Sequence, residues 1–447
     1  MSAAAVLPSP NCRRIDAARG LSRRQTGAAT LIVVMVLFFV VSLVAAYASR
    51  NLLFEQKTAA NQYRSTAVLE AADAGLHWAT SMLNSGRIGA TCLPSANPAD
   101  TSFRERYLAI ADDGVITPLT LPPPPALASP LTPSCVFDGV TWQCSCPVNA
   151  APVLAAPAGD DMFPAFRLRF VAMPTRPGLV RVEVNACSRA DDACLNFPAT
   201  GAANEARVTV SAIVALKGGV ATVPAAALTA RGSVDLSLSA LTLANTDPRS
   251  GVTVNAGQAF TQGLAQLVTV AGSPAAGSIS DSDPALGGLT LAPSNTMFAK
   301  TFGMWPADYR AQPGAVVLPC GGTCTAAQVR TAVAQYPGLV IWVDGALDID
   351  TGGDIGTFTQ PVAIVATGGV QFTAAATVYG LIYTQAAPWT TAGAGAGVNP
   401  TVRGAVVAEG NVDGNSAATL VYDATVLNRL RLKTGSFVVV PGSWRDF

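Results

Sequence analysis

The sequence predicts an α+β protein, mostly β: a long N-terminal transmembrane helix packed on an antiparallel sheet, followed by a β-solenoid-like C-terminal domain. Three observations predict it. Between Arg24 and Arg50 no residue carries a formal charge, and Ala28–Ala48 reads AATLIVVMVLFFVVSLVAAYA. Such a run crosses a bilayer as one helix, because about 20 apolar residues at 1.5 Å each span a hydrocarbon core of ~30 Å. Second, three later segments alternate apolar and polar residues with period two. Third, Gly-led apolar triplets recur through the C-terminal half at solenoid-like spacing.

The chain opens with a basic leader, 1–27, holding Arg13, Arg14, Arg19, Arg23 and Arg24 ahead of Gly27. Clustered arginines resist translocation, so the N-terminus is expected on the cytoplasmic side. The helix is expected over 28–84, with its membrane half at 28–48. Past the membrane run, Leu53, Ala60, Ala67, Ala71, Ala74, Trp78 and Met82 keep one face apolar, and Asn84-Ser-Gly86 supplies the stop. A 57-residue helix of this kind is roughly 85 Å long.

Residues 85–134 form a connecting region that ends in the proline-rich run ITPLTLPPPPALASPLTP, which suits neither a helix interior nor a sheet interior. An antiparallel β domain is expected over 135–217. Its clearest strands are Phe166/Leu168/Phe170, Val180/Val182/Val184 and Val208/Val210/Ala212/Val214, each with polar residues between. One apolar face calls for a cover, and the soluble half of the long helix has the matching stripe.

Residues 218–447 are expected to form the β-solenoid-like domain, interrupted by an insertion at 280–336. The repeats are Gly-x-φ-x-φ at Gly232, Gly345 and Gly368, and Gly followed by three apolar residues at Gly338, Gly380 and Gly404. Repeats 20 to 25 residues apart with few helical signals describe stacked coils that bury apolar residues on one another.

Nine cysteines become eight once Cys12 of the leader is set aside: Cys92, Cys135, Cys144, Cys146, Cys187, Cys194, Cys320 and Cys324. An even set on an oxidising membrane face reads as four disulfides. Cys187–Cys194 and Cys320–Cys324 are the expected local pairs; the other four cannot be paired by spacing.

Composition excludes some chemistry. Net charge is zero and only 13% of residues are charged, so no footprint for nucleic acid is present. His77 is the sole histidine, which argues against histidine-dependent catalysis and zinc sites. Gly393-Ala-Gly395-Ala-Gly397 lacks the context of a dinucleotide loop. Asp344, Asp348, Asp350 and Asp354 are a weak calcium candidate with no glutamate closing the loop. Trp305, Tyr309, Trp342 and Trp389 read as rung packing. No cofactor, metal or catalytic residue is expected.

The membrane run admits two other readings, a signal peptide cut after Ala46-Tyr47-Ala48 and a plain uncleaved anchor. Its length, and a helix that continues past the possible cut, favour a retained helix.

TGAATLIVVMVLFFVVSLVAAYASR followed by TAANQYRSTAVLEAADAGLHWA resembles the N-terminal helix of PilX-type minor pilins of type IV pilus systems. The closing VYDATVLNRLR and GSFVVVPGSWRDF are similar to the ends of large pilus-assembly proteins with that helix. The resemblance makes 1–27 a prepilin leader and 28–84 a pilin helix. It implies cleavage between Gly27 and Ala28 by a prepilin peptidase, N-methylation of Ala28 and entry into a fibre. The implied partners are other major and minor pilins and the assembly machinery. The implied location is the bacterial inner membrane, single-pass, then the pilus and cell surface.

One departure is informative. Major pilins carry glutamate at the fifth mature position, where it pairs with a neighbour's N-terminal amine; here that position is Ile32. An unpaired carboxylate in lipid is costly, so an apolar residue suits a subunit with no predecessor. The reading is therefore a non-enzymatic minor pilin or fibre-initiating tip subunit. A tip adhesin or binding module is the alternative, and a membrane-anchored β-helical enzyme acting on polysaccharide stands third.

Overall fold

The computed structural model describes residues 27–120, 131–155, 157–159, 161–198, 205–289, 294–385, 398–413 and 417–446. The leader arginines, Cys12, the prolines of 121–130, Trp389 and Gly393–Gly397 lie outside them. The chain divides into two compact units, Met1–Tyr63 and Arg64–Phe447.

In the first unit, helix α1 (Gly27–Leu83) begins. From residue 29 to residue 63 every side chain is exposed, including Leu31, Ile32, Phe38, Phe39 and Val44. Among the described residues this is the one helix long and apolar enough to cross a membrane.

In the second unit, the last five turns of α1 bury Val68, Ala71, Ala72, Leu76, Ala79 and Leu83. The buried stripe is turned by one residue from the expected one: Trp78 and Met82 pack at its margin, and Ala67 and Ala74 are only half-buried. Gly75 explains the rotation. A Cβ there would come within 2.8 Å of Val184 and 3.0 Å of Phe166, so this bare turn is where helix and sheet approach most closely.

The sheet beneath is antiparallel: β3 (Ser134–Phe137), β4 (Trp142–Ser145), β5 (Ala165–Ala172), β6 (Leu179–Cys187) and β7 (Arg207–Gly218), in the order β7-β6-β5-β3-β4. Register pairs Phe170 with Val182 and Val182 with Ala212. The alternation in these segments puts Phe166, Leu168, Phe170, Val180, Val182, Val184, Val210 and Val214 under α1. Beside them sit helix α2 (Phe103–Tyr107), started by a capping box from Ser102 and Glu105, and a hairpin of β1 (Leu108–Ile110) and β2 (Ile116–Pro118).

Most of the remaining strands are parallel. In chain order they include β8 (Ala226–Ala230), β9 (Val252–Ala256), β10 (Ile279–Ser280), β11 (Ala315–Thr325), β12 (Val340–Ile349), β13 (Val362–Ala366), β14 (Ala376–Thr384) and β15 (Thr401–Ala408). In space the order is β11-β12-β13-β14-β15-β8-β9-β10. One inward column runs Ile341, Ile364, Ile382, Val406, Leu228, Val254, Ile279 across successive strands. Gly380 and Gly404 stack in the same ladder with φ of 139° each. A Cβ on Gly404 would lie 1.9 Å from the Gly380 carbonyl, so the tight approach requires glycine.

Both faces of these strands are buried. Outward residues Trp342, Val365, Leu381, Tyr383, Ala405 and Val407 are covered by helices α3 (Asn295–Phe302), α4 (Pro306–Ala311) and α6 (Ala424–Lys433). Two-sided burial is why the strands read as unbroken apolar runs, VAIVA and GLIYT, and not as alternations. Helix α5 (Ala326–Gln335) adds Ala326, Val329 and Ala332 to the inner core at the β11 end.

Four boundaries differ from expectation. The connecting region 85–134 carries α2, a hairpin and two buried arginines, because Arg104 and Arg106 find carbonyl partners inside. The insertion 280–336 is interrupted by β11, which pairs with β12 along its length and is itself a ladder strand. Residues 226–280 stack after the last ladder strand of 315–408, not before its first, so the excursion through α3 and α4 connects one end of the stack to the other. Finally, residues 435–446 leave the ladder: β16 (Gly435–Val439) pairs antiparallel with β7, as do Arg445 and Asp446. Sheet and ladder therefore share one compact unit.

Candidate functional site

Chemistry in a chain this poor in histidine and lysine must come from surfaces and buried clusters, and the structure places each candidate in turn. Gly27 opens α1. Ile32, the fifth residue beyond it, lies in the fully exposed stretch and is 61% exposed. Ser49 Oγ returns to the Ala46 carbonyl at 2.9 Å, so the helical backbone runs through the Ala-Tyr-Ala segment without a break. An uncharged helical face of this length can do one thing well: associate with lipid tails or other apolar helices.

All eight cysteines among the described residues are bonded: Cys92–Cys146, Cys135–Cys144, Cys187–Cys194 and Cys320–Cys324. Cys135 and Cys144 face each other across β3 and β4, with Cα atoms 4.0 Å apart. Cys92–Cys146 fastens the stretch after α1 to the exit of strand β4.

The aspartates of 344–354 are dispersed. Asp344 pairs with Arg310 at 2.7 Å, Asp348 accepts from Thr373 at 2.8 Å, and Asp350 accepts from the Ala326 amide at the start of α5 at 3.2 Å. They do not converge on a common point, and among the described residues no cluster of three metal-ligating side chains occurs. Tyr309 and Trp342 join Phe298, Phe302 and Tyr383 in a buried aromatic cluster, whereas Trp305 stays half-exposed. His77 is exposed on α1.

Two buried charged sites lie outside the residues singled out from the sequence. Glu409 is fully buried just past β15. Its carboxylate accepts from the Tyr383 hydroxyl at 2.6 Å and from the Ser294 amide. Burial pushes its pKa up to about 7, opposed by those hydrogen bonds and by Arg231. Arg231 in turn donates to the Glu409 and Leu289 carbonyls at 3.0 and 3.1 Å. Arg104, also buried, donates to the carbonyls of Leu83, Gly338 and Gly435 at 2.9, 3.0 and 3.0 Å, with its guanidinium 5.1 Å from the Phe437 ring centre. Desolvation lowers its pKa to about 10. Thus one side chain joins the end of α1, the start of β12 and strand β16. The only signals in the sequence were a glutamate in an otherwise apolar ladder segment and arginines just after a helix stop.

Residues 26–77 match the family model described as PilX N-terminal. No curated relative matches the sequence. Among solved structures, the competence-associated pilin ComZ from Thermus thermophilus aligns over 86% of this chain and 97% of its own, at 13% identity and a TM-score of 0.22. So low a score carries no argument about this chain. The likeness is confined to the N-terminal helix: over residues 26–77 this chain is similar to the PilX N-terminal family.

Proposed function

We propose that the protein is a structural subunit of a type IV pilus, a minor pilin that initiates the fibre or caps its tip. The observation that carries this reading is the exposed, uncharged stretch of α1 as far as Ser49, within the segment that matches PilX N-termini. On this reading, prepilin peptidase cuts between Gly27 and Ala28, Ala28 is methylated, and the helix waits in the inner membrane with its N-terminus cytoplasmic. Assembly then transfers the apolar helix from lipid to the helices of other pilins.

Ile32 supports a position without a predecessor. Beside a neighbour's buried ammonium, isoleucine leaves that charge without a counterion, which costs several kcal/mol. At the first position no such ammonium exists. The parallel ladder of 226–422 supports a β-solenoid-like head, since its inward column repeats at offsets of 23, 18 and 24 residues from Ile341 to Ile364, Ile382 and Val406. Such a head is displayed with least hindrance at a tip.

Deleting the gene and counting surface pili tests the role: few or no pili are expected, and normal number and length would refute it.

A further inference from the structure

A groove of about 790 Å³ opens between hairpin β1–β2 and the β11 end of the parallel ladder. Its volume lies within the range of roughly 300–1,000 Å³ typical of ligand sites. One wall is β1, where Leu108, Ala109 and Ile110 all touch the groove. The opposite wall is the C-terminal turn of α5 and the loop Gly356–Val362. A cavity touching three successive residues of an edge strand runs along that strand's backbone.

Among the described residues, no strand pairs with the other edge of β1. The hairpin register pairs Leu108 with Pro118, Ala109 with Thr117 and Ile110 with Ile116. The Leu119 amide donates to the Tyr107 carbonyl and the Ala111 amide to the Val115 carbonyl, at 2.8 and 2.9 Å. Hydrogen-bonded pairs alternate in an antiparallel ladder, so the amide and carbonyl of residues 108 and 110 point away from β2. The Leu108 amide donates to the Arg104 carbonyl. The Ile110 amide and the Leu108 and Ile110 carbonyls have no backbone partner among the described residues. Their spacing is that of a strand waiting for one more strand.

Charge narrows the occupant. The groove lining holds four cations against three carboxylates. Two of the carboxylates are committed: Asp100 to Ser95 and Arg106, Glu105 to Ser102 and Gln360. Three of the cations, Arg87, Arg104 and Arg330, have no carboxylate partner among the described residues. Arg104 donates its hydrogen bonds to backbone carbonyls and lies over the Phe437 ring, with the Glu105 charge near but not in ion-pair contact. Arg330 is held by the Thr351 hydroxyl and the carbonyls of Thr351, Gly353 and Asp354. Carbonyls satisfy donors but do not neutralise charge, so a buried or half-buried guanidinium here favours an incoming carboxylate.

We propose that this groove receives an extended peptide segment of another protein chain, which adds a strand to β1 and places an acidic side chain among Arg87, Arg104 and Arg330. The site does not depend on how α1 assembles, so it stands or falls separately from the pilus reading.

The test uses the full chain in detergent and a fluorescent ten-residue peptide of alternating Val and Thr with one central Glu. Two companion peptides replace that Glu by Gln or N-methylate alternate amides. The Glu peptide is expected to bind, the Gln peptide about tenfold more weakly, and the N-methylated peptide not detectably. Arg87→Ala should weaken the Glu peptide by a similar factor while leaving the Gln peptide unchanged. Ile110→Pro, which removes an amide the fold does not use, should abolish binding. The three peptides on the unaltered protein keep the test decisive should that variant misfold. No binding of the Glu peptide, or equal binding of the Glu and N-methylated peptides, would overturn the proposal.

Discussion

The side-chain amide of Asn84 hydrogen-bonds both ways with the backbone of Phe437. Its Nδ2 donates to the Phe437 carbonyl at 2.8 Å and its Oδ1 accepts from the Phe437 amide at 2.7 Å. These residues are 353 positions apart. The first residue of the helix stop is therefore joined to strand β16, where the chain returns to the antiparallel sheet.

Asn84→Leu would keep the branched heavy-atom skeleton and remove both bonds, leaving a backbone amide and carbonyl unpaired in a half-buried place. A loss of about 2 kcal/mol is expected, read as a lower Tm and as earlier proteolysis near residues 435–446. Asn84→Asp keeps the acceptor for the Phe437 amide but sets a carboxylate oxygen against the Phe437 and Thr80 carbonyls, and should lose stability as well. Equal stability of all three proteins would mean that the pairing contributes nothing.

Arg104 should tolerate no replacement well. Lysine has no fork and cannot reach three carbonyls on three elements. Arg104→Lys strands two of them, and a loss on the order of 3 kcal/mol is expected. Chemical denaturation should report a lower midpoint; an unchanged midpoint would contradict the role assigned to this residue.

Glu409 makes stability pH-dependent. Its folded pKa of about 7 lies above the ordinary 4.5, so the folded protein binds its proton more tightly than the unfolded chain. Stability from this group is complete below pH 4.5 and is lost as pH rises through about 7, to a total on the order of 3 kcal/mol. Glu409→Gln should remove that component, so that the variant gains on the parent between about pH 5 and pH 8. Parallel Tm–pH curves for the two proteins would refute the assignment.

How legible the fold was in the sequence depends on how far each signal reaches along the chain. The uncharged run at Ala28–Ala48 and the alternation in 166–170, 180–184 and 207–214 are local patterns, and local patterns survive into the structure. The glycines at 380 and 404 were visible as repeats because both take a positive φ at the same register position of neighbouring strands β14 and β15. What escaped was non-local. Nothing in VTVNA or AALTA says that β8 stacks on β15, where Leu228 meets Val406, because apolar ladder strands are interchangeable by composition. Likewise the closing VVV carried no sign that β16 rejoins β7. The stripe on α1 was off by one residue because Gly75, not the larger Trp78, sets the closest approach to the sheet. Arg104 and Glu409 were passed over because a buried charge cannot be told from an exposed one until its partners are known, and theirs are mostly backbone groups of distant segments.

The disulfides give a prediction that reaches across these elements. Intact mass of the exported protein without reductant should be eight protons below that of the reduced chain, one pair for each bond. Replacing Cys92 and Cys146 by alanine opens a 54-residue loop and should cost about 2–5 kcal/mol. Free thiols at these positions in protein taken from outside the inner membrane would contradict the oxidising compartment.

The central claim is that α1 is kept whole and carries the protein into a fibre. Sequencing the N-terminus of the membrane-purified protein tests it most directly. A mature chain beginning at Ala28, carrying an N-methyl group, is the expected result, with Gly27→Leu accumulating as unprocessed protein. A chain beginning at Ser49, released from the membrane, would contradict it.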